Sequence, residues 1–303
     1  MFGSGSGIRV IGHRGAAGVA PENTLAAIEH GLLAGSDALE VDVHVTADGH
    51  LVVIHDDTVD RTTEGSGPVE TMTLAETQRL DAGYCFTPDG GRTYPFRNTG
   101  VRVPTLDAAV AAAGDLPMII EVKSPGAGQA LGDWLGTRRR GAPSGPGDLE
   151  RFIVGGFERD AVAPAAAEAR WQCATRRDLV PFILAGKVGL RWPMRREIDA
   201  IMLPIRKGPL RLVTRRFVRR AHDGGLGVFV WTVNRPEVMR ALFELGVDGL
   251  ISDVPARVRR VLDERRAHGA GRDVGGVDGV AGVAGVVDAD DVDDDIAPRV
   301  GDS

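Results

Sequence analysis

Cysteine, aromatic residues and long apolar runs are all scarce in this chain of 303 residues. The only two cysteines, Cys85 and Cys173, lie far apart, so no disulfide framework is expected. No apolar run approaches the roughly 20 residues that cross a bilayer. The opening residues, Met1-Phe2-Gly3-Ser4-Gly5-Ser6-Gly7, lack a basic region followed by an apolar stretch. No secretory signal is expected from them, and a cytoplasmic location is the default expectation. Aromatic residues make up 5% of the chain and only two are tyrosine, so any cluster of them is informative. What is plentiful is ordinary: 43% hydrophobic and 26% charged residues suit a globular protein with a sizeable core. The length allows one large α/β domain or two small ones.

The net charge of -6 is unevenly placed. Residues 269–303 hold nine Asp and two Arg, a balance of -7, which leaves the other 268 residues at about +1. The tail repeats Gly, Val, Ala and Asp without an aromatic residue. It cannot bury enough apolar surface to offset ordering, so 268–303 is expected to be a disordered, solubilising extension. A specific interaction tail is the alternative. The folded part is near neutral, and no nucleic-acid partner is expected.

Strand-like runs alternate with helix-like runs, as in α/β proteins with parallel strands. Strands are expected at 8–12, 38–43, 117–123, 152–156, 171–175, 199–203, 227–232 and 248–252. Helices are expected at 24–34, 105–113, 128–139, 159–169, 178–186, 210–222, 236–245 and 255–267. Eight strands, each eventually followed by a helix, is the count for a (β/α)₈ TIM barrel. A doubly wound open sheet is the alternative. Leu51-Val52-Val53-Ile54-His55 does not fit that count. It follows the second strand too closely for a parallel crossover, and Asp48-Gly49 is a hairpin turn signal. A hairpin of 38–46 and 50–55 would bring His55 back to the level of Glu40 and Asp42.

Residues 56–100 are too many for a plain loop and read as a small insertion after the second barrel strand, on the C-terminal face. Tyr84, Phe86, Tyr94 and Phe96 fall within it. They form either a small core of the insertion or an apolar lip over a substrate. The basic stretches Arg138-Arg139-Arg140 and Arg215-Arg216 with Arg219-Arg220 read as solvated helix faces.

The chemistry-bearing residues fall at strand ends. Glu40 and Asp42 are two apart on one strand and face the same side. Burying both without a counter-charge is costly, and a hard divalent cation, Mg²⁺ or Ca²⁺, resolves the conflict. Glu121 ends another apolar strand and offers a third ligand. Lys123 follows it on the same side and suits a phosphoryl oxygen. His13 lies between Gly12 and Arg14-Gly15, where glycines permit a sharp turn and a close ligand. Beside His55 it is a candidate acid or base. Arg14 suits bidentate phosphate binding. In Pro21-Glu22-Asn23-Thr24, Asn23 is expected to cap the following helix, with Glu22 in a supporting role. Trp231 ends a late strand and is a candidate pocket wall.

Taken in order, His13-Arg14-Gly15 with Pro21-Glu22-Asn23-Thr24, Glu40-Val41-Asp42-Val43, Thr46-Ala47-Asp48-Gly49, His55-Asp56, Glu121-Val122-Lys123, Val230-Trp231-Thr232-Val233-Asn234 and Asp248-Gly249-Leu250-Ile251-Ser252-Asp253 resemble the glycerophosphodiester phosphodiesterase family. The resemblance covers roughly residues 8–265. It implies a TIM barrel with a small insertion after the second strand, here residues 8–267. It implies His13 and His55 as the catalytic pair, and Glu40, Asp42 and Glu121 as ligands of a divalent metal. Arg14 and Lys123 are then phosphate contacts. The implied reaction releases an alcohol and leaves sn-glycerol 3-phosphate. A weaker resemblance at Leu80-Asp81-Ala82-Gly83-Tyr84, Phe86 and Pro95-Phe96-Arg97 points to members that also cleave lysophospholipids to lysophosphatidic acid, with peripheral membrane contact. Another phospholipase-like phosphodiesterase on the same barrel, or a non-catalytic module that binds phosphodiesters, are the rival readings.

Overall fold

The structure is a computed structural model, and it describes residues 7–141, 146–190 and 192–270. In chain order the elements are β1 (Arg9–Gly12), α1 (Leu25–Leu33), β2 (Ala38–Val45), β3 (Leu51–Val53), α2 (Leu74–Thr77), α3 (Leu106–Ala113), β4 (Met118–Val122), α4 (Pro125–Gly141), β5 (Phe152–Gly155), α5 (Arg159–Glu168), β6 (Trp171–Gln172), α6 (Arg176–Lys187), β7 (Ala200–Pro204), β8 (Arg206–Lys207), β9 (Leu210–Arg211), α7 (Arg215–Asp223), β10 (Gly227–Trp231), α8 (Pro236–Leu245), β11 (Gly249–Ser252) and α9 (Pro255–Ala270). Eight parallel strands neighbour one another in the order β6-β5-β4-β2-β1-β11-β10-β7. A parallel bridge from Cys173 to Ala200 joins the two ends, with Ala174 N–H donating to the Ala200 carbonyl at 2.8 Å. The ring is nearly closed, as in a (β/α)₈ barrel, which rules out the open doubly wound sheet.

One buried residue from the line of each barrel strand fills the interior: Ile11, Ala38, Ile119, Ile153, Cys173, Ala200, Phe229 and Ile251. Residues two apart on a strand share a face. On β2 the inward line is therefore Ala38, Glu40, Asp42, and on β4 it is Ile119, Glu121. The apolar plug sits at the bottom, and the carboxylates stand on it. Truncating a plug residue such as Ile119 to Ala would cost about 2–5 kcal/mol. Cys173 belongs to this plug, where burial pushes its thiol pKa up. The alternate residues face the helices in two larger clusters, one under α3, α4 and α5 and one under α6 to α9.

β3 pairs antiparallel with β2, Val43 opposite Val53 and Val45 opposite Leu51, around a turn in which Gly49 has φ +83°. The hairpin and its register agree with the sequence. The insertion that follows carries α2 and its own core of Val52, Ile54, Val59, Val69, Ala82 and Val103. Its helix rests on the hairpin turn, where Leu74 N–H donates to Asp48 Oδ1 at 2.9 Å.

Several boundaries differ from the sequence expectation. β6 stops at Gln172 rather than 175, because Thr175 opens α6: its backbone N–H and hydroxyl donate to the buried Asp178 carboxylate at 3.0 and 2.6 Å. The helix expected at 210–222 begins only at Arg215. Before it, β8 and β9 form a short hairpin around Gly208, at φ +56°, and Thr214 caps the helix by accepting from Phe217 N–H. α9 runs to Ala270, three residues into the expected tail. The rest of that tail, 271–303, lies outside the described residues.

Candidate active site

β2 and β4 pair in parallel with Asp42 directly opposite Glu121. Glu40 lies two residues before Asp42 on the same face. One oxygen from each of the three carboxylates lies within 4.8 Å of the others. Glu40 and Asp42 are buried, and Glu121 reaches the rim. Their environments differ sharply. Burial, with the Asp42 charge beside it, pushes the Glu40 carboxyl up to about 8. Burial acts the same way on Asp42, but Lys123, Arg14 and His55 outweigh it and hold that carboxyl down at about 2. Lys123 Nζ stands 2.8 Å from Asp42 Oδ1 and 2.6 Å from Glu121 Oε1. Glu40 thus sits deep beside another carboxylate without a full counter-charge. An all-oxygen donor set short of positive charge fits a hard divalent cation.

His13 and Arg14 follow β1 directly. His13 N–H continues the ladder to the Ser252 carbonyl at 2.9 Å. Arg14 then turns at φ +48°, and its N–H donates to Glu40 Oε2 at 2.9 Å. Gly12 and Gly15 are required here, but not for a ligand. A Cβ on Gly12 would meet the Gly15 carbonyl oxygen, and one on Gly15 would meet the α1 backbone at Ala27. The turn is packed between β2 and α1. His13 Nδ1 lies 2.6 Å from Asp253 Oδ1, and Nε2 lies 3.9 Å from Glu40 Oε2. Burial works to lower the His13 pKa, but the Asp253 hydrogen bond and the Glu40 charge outweigh it, and the pKa is raised.

Arg14 Nη1 donates to Glu22 Oε1 at 2.7 Å. Its buried Nε lies 3.3 Å from Asp42 Oδ2 yet makes no hydrogen bond. Glu22 also accepts two bonds from Arg61, which binds Asp56 in turn, and Asp56 Oδ1 lies 2.6 Å from His55 Nδ1. A continuous chain of charged groups therefore runs from Arg14 to His55 across the mouth. Asn23 does not cap α1, contrary to the sequence expectation. Thr24 does, accepting from Ala27 N–H at 3.2 Å. Asn23, buried at φ +58°, instead donates through Nδ2 to Asp42 Oδ2 at 2.8 Å and accepts from Asp42 N–H. It holds one oxygen of that carboxylate while Lys123 holds the other.

The hairpin delivers His55. Ile54 N–H donates to the Asp42 carbonyl at 3.1 Å, which fixes His55 beside the carboxylates, a third exposed. His44 is buried with Nε2 3.2 Å from the His55 carbonyl, and burial lowers its pKa. It supports the hairpin backbone.

Trp231 ends β10 with its ring edge-on to Phe157, centroids 6.1 Å apart. Both line a cleft of about 320 Å³ that also includes Glu121, Leu179, Ile183 and Met202. Its walls are mostly apolar. The insertion aromatics stand elsewhere: Phe86 and Phe96 pack edge-to-face at 5.4 Å, and the Arg97 guanidinium lies over both Tyr84 and Tyr94. They stabilise the insertion's surface and do not line this cleft.

Local spacing did not reveal Asn23 as a partner of Asp42, Arg61 as the link to His55, or Asp253 as the partner of His13. Asp253 lies 240 residues from His13 and is itself held by Asn234 Nδ2 at 2.7 Å. The signals were that both residues end strands, which a closed barrel places side by side, and that Asp253 closes the last of the motifs that carry the family resemblance.

The chain matches the Glycerophosphoryl diester phosphodiesterase family over residues 13–140 and 165–257. It is 34% identical over 257 residues to a glycerophosphodiester phosphodiesterase of Caldanaerobacter subterraneus, covering 81% of this chain and 94% of that one. It is 32% identical over 279 residues to a probable glycerophosphodiester phosphodiesterase 1 of Mycobacterium tuberculosis, covering 87% and 95%. Among solved structures, a putative glycerophosphoryl diester phosphodiesterase from Silicibacter pomeroyi superposes with a TM-score of 0.67 at 27% identity, over 88% of this chain and 96% of that one. The glycerophosphoryl diester phosphodiesterase domain of a Mycobacterium tuberculosis protein, at 22% identity and over 84% and 99%, shares the fold with a TM-score of 0.71. By fold, by the run of its motifs and by these relatives, the chain belongs to the glycerophosphoryl diester phosphodiesterase family and is a phosphoric diester hydrolase.

Proposed function

We propose that the chain hydrolyses glycerophosphodiesters in a metal-dependent reaction, releasing an alcohol and sn-glycerol 3-phosphate. The observation that carries this reading is the cluster of Glu40, Asp42 and Glu121, flanked by two histidines that each hold a carboxylate at 2.6 Å. The three carboxylates would hold Mg²⁺ or Ca²⁺, which when bound neutralises charge developing on the phosphoryl oxygens. Arg14, whose Nε is buried without a hydrogen bond, and Lys123 would contact the phosphoryl group from the chain's side. One histidine takes the proton from the attacking oxygen, and the other returns a proton to the leaving alkoxide. The attacking oxygen belongs to water or to the neighbouring glycerol hydroxyl. In the second case a cyclic phosphate forms first and water then opens it. Asp253 and Asp56 keep His13 and His55 oriented through both transfers. The barrel expected over residues 8–267, with α9 carried on to Ala270, would be the catalytic unit.

Cleavage of lysophospholipids is a second reading, favoured by the apolar cleft beside Glu121 rather than by the insertion aromatics. Turnover of glycerophosphocholine and lysophosphatidylcholine with Mg²⁺, Ca²⁺ or excess chelator tests both readings. Activity lost in chelator and restored by one of the ions is expected, together with ion binding by calorimetry that Asp42→Asn abolishes. Full activity in chelator would overturn the metal.

A further inference from the structure

The segment from residue 176 to residue 220 carries thirteen Arg and Lys against three Asp and Glu, a net charge of +10 in a chain of -6. It forms α6, the connection to β7, the β8–β9 hairpin and the start of α7. On the same face the chain leaves large apolar side chains uncovered. Val180, Leu184 and Val188 recur every four residues along α6 and its end, one side of a helix. Leu190 and Trp192 follow in the connection. They are 48%, 56%, 72%, 64% and 50% exposed. A monomer surface rarely gathers this much aliphatic area without a partner.

Some of these cations are paired within the protein, Arg176 with Glu158, Arg177 with Asp160 and Arg195 with Asp178, but three at the groove are not. Lys187, Arg211 and Arg216 have no ion-pair partner among the described residues. With Arg220 they line a groove of about 290 Å³ between α6 and α7, floored by Phe182, Ile183 and Phe217. Arg220 lies over the Phe182 ring at 4.6 Å, and its Nη2 is buried without a hydrogen bond. The groove shares Ile183 and Leu212 with the apolar cleft that reaches Glu121, and Val180 stands at the rim of that cleft. The apolar stripe, the cationic groove and the cleft are therefore one continuous face.

We propose that this face docks the chain on an anionic lipid bilayer, with the groove on lipid phosphates and the α6 stripe in the acyl boundary. The cleft then opens at the membrane surface, so a single-chain phosphodiester reaches the carboxylates by sliding its chain along α6. This last clause rests on the proposed reaction, while the docking does not. Charge complementarity favours a bilayer, at about 1 kcal/mol for each Lys or Arg near the surface. The aliphatic stripe favours it over nucleic acid, which calls for aromatic platforms rather than Val and Leu.

Co-sedimentation of the full chain with phosphatidylcholine vesicles, with and without phosphatidylglycerol, tests the docking. Binding to the anionic vesicles, weakened by salt, and little binding to the neutral ones is expected. Lys187→Glu with Arg216→Glu should lower that binding at least about tenfold. Leu184→Ser with Val188→Ser should lower what persists at high salt. Both double variants should keep wild-type turnover of soluble glycerophosphocholine, which shows them folded and separates this test from that of the reaction. Equal binding to both vesicle types, or no effect of the charge reversal, would overturn the docking. So would displacement of the vesicles by single-stranded RNA at equal charge. Binding that appears only after removal of 271–303 would make that acidic segment the occupant and overturn it as well.

Discussion

The two halves of the barrel are built for different tasks. From β1 through the end of β4, between residues 13 and 123, lie His13, Arg14, Glu40, Asp42, His55, Glu121 and Lys123. From β5 onward the chain contributes the apolar cleft, the cationic face and only a few polar groups at the mouth, chiefly Asp253 with Asn234 and Trp231. In the proposed reaction the difference separates reacting from receiving. Groups that share a proton, a phosphate and an ion must sit within a few ångströms, and adjacent strands with a hairpin provide that locally. Recognition of the rest of a substrate needs area, which comes from longer-range packing of helices and connections.

If the first half carries the rate, His13→Ala and His55→Ala should each lower kcat by about 10²–10⁴-fold with a smaller change in KM. Steady-state kinetics on glycerophosphocholine measures this. Wild-type kcat in His55→Ala would break the comparison at its base.

Asp253→Asn probes the point where the second half touches the first. It removes the carboxylate whose hydrogen bond helps raise the His13 pKa against burial. kcat should fall by up to about a hundredfold, KM should change little, and the limb of the pH–kcat profile that reports His13 should move to lower pH. A fall in kcat with an unmoved limb would mean that Asp253 matters only for packing.

Stability should depend on a different acid. Asp178 is buried in the second half and accepts from Thr175, Arg159 and Arg195. Burial alone would raise its pKa, yet those bonds outweigh it and the pKa is lowered. A lowered acid stabilises above the ordinary carboxylate range, and that stability is lost as pH falls through the folded value. Asp178→Ala should cost about 2 kcal/mol near neutral pH, seen in Tm, and its deficit against wild type should shrink as pH drops below that range. Unchanged glycerophosphocholine kcat in the same variant would sharpen the division of labour.

The smallest expected effect tests the cleft. Val180→Ser should raise KM for lysophosphatidylcholine by about two- to fourfold, since a half-covered valine has only part of the roughly 1.5 kcal/mol of full burial left to gain, and leave glycerophosphocholine nearly untouched. Replacing Phe86 by Ser should leave both KM values nearly unchanged, because its ring packs on Phe96 outside the cleft. The reverse outcome would return the lip to the insertion.

The order of elements, the hairpin and the carboxylate cluster were legible in the sequence for a local reason. Strand alternation puts Glu40 with Asp42, and the tight turn at Ala47-Asp48-Gly49 sets the register that returns His55. What was not legible depended on closure. Asn23 reads as a helix cap because capping is a matter of neighbours, and only the packed turn against β2 makes it a partner of Asp42. The late start of α7 and the short β6 follow from Thr214 and Thr175 taking cap positions that apolar periodicity does not report.

The sequence by itself therefore determined which half of the chain holds the acids, bases and cations of the candidate site, since period-2 alternation and turn chemistry act over a few residues. Only the tertiary structure decided who partners whom. Ring closure set β1 beside β11 and so gave His13 its carboxylate from 240 residues away. It also gathered α6, the β8–β9 hairpin and α7 into one cationic and apolar face, whose meaning no single stretch of arginines disclosed.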